Sequence, residues 1–132
     1  MTIKFLKAFL LFDGASTFIL AIAFLAAGTQ FSSLFGLAHP YLFWGGWICL
    51  GAAAILIYAG TRAVPPVSAV WEVAAINLGW VTASIAVFEI EYAALTTLGS
   101  AAILGLAGIV LVAALVQIAG ARMLSRRAIT AA

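Results

Sequence analysis

The residues that could do chemistry in this sequence are few, and most of them stand inside long apolar runs. Asp13 and Thr17 interrupt the first such run, Glu72, Asn77, Trp80 and Ser84 the third, and Gln117 and Arg122 close the fourth. An ionisable side chain in hydrocarbon costs about 2.5–3.5 kcal/mol on insertion scales, so each needs a partner or a purpose. At 100° per residue, Asn77 and Ser84 share one helical stripe with Trp80 beside it, while Glu72 lies about 140° from Asn77. Asp13 and Asn77 are therefore expected to meet inside a bundle, and Glu72 to look toward a different neighbour. Two readings of this polar cluster follow. In the structural one, Asp13 pairs with Arg122 or Lys7, Glu72 with Arg62, and Asn77 and Gln117 bond across helices. In the functional one, Asp13, Asn77 and Gln117 line a pocket or pathway open to the cytoplasm and suited to a cation or proton. The structural reading is preferred, because a short bundle needs polar contacts to choose one packing. The Trp80 indole N–H also needs a partner, which Asn77 or Ser84 could supply.

A second constellation is His39 with Glu89 and Glu91. One imidazole and two carboxylates are a zinc-type donor set. Their spacing is not diagnostic, and the two glutamates point about 200° apart on a helix. His39 is the single histidine, so a bis-histidine haem would need two chains. Cys49 has no basic neighbour in sequence and reads as a small buried hydrophobe. There is no GxSxG, phosphate loop or GxGxxG pattern. No catalytic residue, bound metal or cofactor is assigned.

The elements that must position these groups are set by composition. Of 132 residues, 67% are hydrophobic and 8% charged, with mean hydropathy +1.26. A soluble domain of this size keeps too much surface to hide so many apolar side chains. Four stretches reach the roughly 20 apolar residues that a spanning helix needs: about 5–27, 41–59, 67–90 and 98–121. The first is too long for a signal-peptide core and is read as a membrane helix. Between the stretches lie Gly28 to Pro40, Gly60 to Pro66, and Glu89 to Thr97, which are read as breaks that use turn chemistry. Transmembrane strands are excluded by segment length and the lack of polar alternation. The expected fold is all-α, a single four-helix transmembrane bundle over residues 1–132, running up-down-up-down.

Orientation follows from charge. Lys4, Lys7, Arg62, Arg122, Arg126 and Arg127 all fall on one side of a four-span arrangement, and His39, Glu89 and Glu91 on the other. The positive side is assigned to the cytoplasm, which puts both termini there. Tyr41, Trp44, Trp47, Phe88 and Tyr92 then form an outer aromatic belt, and Tyr58 and Trp71 an inner one. No two glycines are four apart, so the strict GxxxG motif is missing, but Ala75, Gly79 and Ala83, and Ala101 and Gly105, form small-residue faces expected to admit close helix approach. The basic residues lie beside membrane segments and form no nucleic-acid patch.

Several of these short patterns carry a resemblance. Phe12-Asp13-Gly14-Ala15, Asn77-x-x-Trp80-x-x-x-Ser84, Thr97-Leu98-Gly99 and Gln117-x-x-Gly120-x-Arg122 together resemble a family of small four-helix integral membrane proteins of bacteria. The resemblance implies the fold and the bacterial inner membrane, singles out Asp13, Asn77, Trp80, Ser84, Gln117 and Arg122, and brings no activity with it. Small multidrug transporters are similar in length and helix count, but their first-helix glutamate sits mid-membrane, whereas Asp13 lies nearer the inner end. Small fluoride channels are similar in size, but their threonine- and phenylalanine-rich motif is missing here. The expected function is a non-enzymatic inner-membrane protein, in contact with lipid, that binds a lipid-like or small ligand or assists a larger membrane assembly as a homo-oligomer or with other subunits. The alternative is an oligomeric small-solute or proton-coupled transporter that uses Asp13.

Overall fold

The computed structural model describes residues 1–130. Five helices follow one another: α1 Ile3–Ala26, α2 Gly28–Phe35, α3 His39–Thr61, α4 Val67–Glu91 and α5 Thr97–Thr130. All but α2 are long and apolar enough to cross a membrane, so the chain is a multi-pass membrane protein.

The helix limits have local causes. Thr2 caps α1, its Oγ1 accepting from the Phe5 N–H at 3.1 Å. Pro40 sits in the first turn of α3, where a missing N–H costs nothing, and Pro66 precedes α4 for the same reason. Two sequence expectations need correction. The first break is not plain loop, because Gly28–Phe35 forms α2, which ends at Gly36 in the left-handed conformation with φ +67°. The last helix does not stop at 121. Arg122, Met123, Leu124, Arg126, Arg127 and Ala128 are good helix formers, with no glycine or proline among them, and α5 runs on to Thr130.

Packing divides the long helices into two close pairs, α1 with α3 and α4 with α5, and the pairs touch each other far less. The α1–α3 seam is built on glycine. A Cβ at Gly60 would lie 2.7 Å from the Leu11 side chain, one at Gly14 2.9 Å from Ile57, and one at Gly46 2.7 Å from Leu25. These contacts pair rising with falling residue numbers, so α1 and α3 run antiparallel. The small-residue faces expected to do this work do not. Ala75, Gly79 and Ala83 on α4, and Ala101 and Gly105 on α5, are exposed, and nothing lies within 4 Å of a Cβ built at Gly79 or Gly105.

The pairs join firmly at two levels. At the end holding the start of α1, the close of α5 and the α3–α4 connection, Leu6, Leu10, Leu56, Ala59, Val70, Val73, Ala121 and Leu124 form one buried core. At the α2 end, Thr96 makes the join. Its N–H donates to the Phe35 carbonyl at 3.0 Å, its hydroxyl donates to the Leu34 carbonyl at 2.9 Å, and its Oγ1 accepts from the Gly99 N–H at the start of α5. One residue thus satisfies orphan groups of two helices. Gly99 lies so close to the Phe35 carbonyl that a Cβ there has no room.

Candidate functional site

The polar residues separate into three places. The first is a bridge through the closed half of the bundle. Gln117 on α5 is fully buried. Its Nε2 donates to Asp13 Oδ2 on α1 at 2.7 Å, and its Oε1 accepts from Asn77 Nδ2 on α4 at 2.9 Å. Asp13 and Asn77 are thereby joined through a third side chain. Thr17 stands one turn along α1 beside the Asp13 carboxyl. The expected partners Arg122 and Lys7 are not used: the Asp13 carboxylate takes its hydrogen bond from Gln117, and Arg122 is exposed. A buried amide with both ends engaged has no polar capacity left over except one N–H and one lone pair. Ser16, near Asp13 in sequence, bonds back to the Phe12 and Asp13 carbonyls of its own helix.

The second place is a cavity of about 370 Å³ between the pairs, on the α2 side. Trp80 and Ser84 are its sequence-predicted members. Its remaining wall is mostly apolar and includes Phe24, Gly45, Ala102 and Ile103, with Tyr41 and Trp44 carrying its other polar groups. The cavity exists because small residues face one another where the pairs diverge. Trp80 reaches across the gap to Gly45, where a Cβ would lie 3.2 Å from its ring, but one indole does not fill the space. Its Nε1–H is buried and has no hydrogen-bond partner among the described residues. Neither Asn77, which turns to Gln117, nor Ser84 supplies the expected acceptor. A volume of this size falls in the lower part of the range for ligand pockets. Sequence reasoning missed Phe24, Gly45, Ala102 and Ile103, which are ordinary membrane-helix residues. The signal nearest to them was Trp44-Gly45-Gly46-Trp47, which puts small residues between large rings.

The third place is a shallower groove of about 430 Å³ between the ends of α3 and α4 that flank their connection. Glu72 lines it, and so is separated from the bridge, as its stripe requires. Its expected partner Arg62 lies instead over the Tyr58 ring, 4.3 Å from the centroid.

The outer trio does not assemble. Among the described residues no group of three His, Cys, Asp or Glu side chains converges. Glu91 accepts from the Tyr41 hydroxyl at 3.0 Å, while His39 lies against Gly28 and beside the Phe43 ring. Cys49 is buried on α3.

The fold and these three places define a multi-pass helical membrane protein with an open apolar cavity between its helix pairs. No protein-family model, curated protein or solved structure matches the chain.

Proposed function

We propose that this is a small, non-enzymatic protein of the bacterial inner membrane that holds a lipid-like or small apolar molecule in the cavity beside Trp80. The observation that carries this reading is the cavity itself. It is apolar and lies between the two helix pairs, walled by residues of all four long helices. An occupant with one carbonyl, ester or ether oxygen would satisfy the orphaned indole donor through a rotation of the ring, and a buried donor without a partner costs about 1–3 kcal/mol. In this reading the bundle runs up-down-up-down with both termini cytoplasmic, following the positive charges, and the cavity opens within the outer half of the bilayer.

The test is native mass spectrometry of protein released in mild detergent, compared with Ala102→Phe, which fills the cavity wall. The wild type should carry one bound amphiphile per chain, and the variant should lose it while keeping its helical signal. Wild type carrying the same phospholipid mixture as the membrane, unchanged in Ala102→Phe, would remove the cavity's role. Solute flux by the purified protein alone would overturn the non-transport part. The Asp13 transport alternative has less support, since neither cavity is lined by Asp13, Asn77 or Gln117.

A further inference from the structure

The groove between α3 and α4 carries one charged side chain on its wall, Glu72, and the Arg62 guanidinium lies beside the groove, over the ring of its lining residue Tyr58. Glu72 is exposed on α4. It lies five residues past Val67, about 7.5 Å into the helix, which is the depth of headgroups and upper acyl chains. A carboxylate facing lipid there is unfavourable unless something positive meets it. Arg62, the cation of the α3–α4 connection, makes no ion pair with it; its guanidinium stacks on Tyr58 and gains cation–π attraction there. Tyr58 and Glu72 both line the groove, with Ser68 on its rim and Ala54, Ile55 and Ala69 as its apolar floor.

We propose that this groove binds the headgroup of a zwitterionic aminophospholipid, with the phosphate on Arg62 and the primary ammonium on Glu72. Charge complementarity selects that occupant. A purely anionic headgroup would satisfy Arg62 but meet repulsion from Glu72. A choline headgroup brings a cation with no N–H to donate to the carboxylate. A primary ammonium next to a phosphate meets both requirements, and the apolar floor receives the first part of the acyl chains. Arginine is suited to the phosphate because its planar fork donates to two oxygens at once.

The site lies at the other end of the bundle from the Trp80 cavity and does not depend on it. The experiment is a competition in native mass spectrometry, with detergent-stripped protein given equimolar phosphatidylethanolamine, phosphatidylcholine and phosphatidylglycerol. The wild type should take one phosphatidylethanolamine with about tenfold preference, the size of a single charge-assisted hydrogen bond. Glu72→Gln should erase that preference and let phosphatidylglycerol rise. Arg62→Gln should weaken phosphatidylethanolamine and phosphatidylglycerol together. Both side chains are exposed, so both variants should unfold at the wild-type temperature. Ala102→Phe should keep the preference intact. Equal binding of the three lipids by wild type would mean annular contact alone and would overturn the proposal. So would a preference that survives Glu72→Gln, one that disappears in Ala102→Phe, or a dimer whose formation displaces the lipid.

Discussion

The two halves of this bundle are built from similar residues and behave differently. In the half that holds the start of α1 and the end of α5, leucine, valine and alanine from four helices close into a core, and Gln117, the one fully buried polar side chain among the described residues, has both ends of its amide engaged. In the half toward α2, the helix pairs diverge around glycine and alanine, a tryptophan spans part of the gap, and its N–H is left unpaired. Hydrophobicity does not separate the halves, since both are apolar and lipid offers as good a solvent for apolar side chains as a neighbouring helix does. Close backbone approach and complete hydrogen bonding make the difference. The closed half satisfies both conditions, and the open half leaves space and one donor.

Substitutions that tighten or loosen one half should sharpen this contrast. The largest effect is expected at the closed seam. Gly120→Val puts a Cβ 2.6 Å from the Leu6 side chain and should cost about 3 kcal/mol in denaturant unfolding in detergent, at the upper end of ordinary overpacking. Gly79→Ala, where open space surrounds the added carbon, should leave stability unchanged or slightly raised. If the two cost the same, the outward face of α4 is covered by a partner in the sample. Gln117→Leu comes next. It strands the Asp13 carboxylate and the Asn77 amide together and should cost about 2 kcal/mol. Asp13→Asn keeps an acceptor for the Gln117 N–H and should stay within about 1 kcal/mol of wild type. A large loss on Asp13→Asn would mean that the charge itself, and not the hydrogen bond, holds the helices.

Smaller effects belong to the open half and its rim. Ala102→Phe fills space rather than displacing neighbours, so the melting temperature should hold or rise while the bound molecule is lost. Tyr41→Phe removes an exposed hydrogen bond to Glu91 and should cost a few tenths of a kcal/mol, below the average of about 0.6 for polar contacts between membrane helices. A cost above about 1.5 kcal/mol would show that the α2 end is held by this contact as well as by Thr96.

The sequence by itself determined the membrane class, the four long apolar helices and the breaks between them, because lipid requires every spanning backbone to satisfy itself locally, and helical length and hydropathy are local properties. It also placed Glu72 away from Asn77, a consequence of helical angle alone. Three things waited for the tertiary structure. Which glycines face a neighbour depends on helix rotation, and this moved the close seam from Gly79 and Gly105 to Gly14, Gly46, Gly60 and Gly120. The partner of Asp13 depends on which side chain the packing delivers to it, and a neutral amide already buried between the helices reaches it where exposed Arg122 does not. The cavity is a property of no residue: it is the volume left where small side chains of α3, α4 and α5 meet, and only their relative placement creates it.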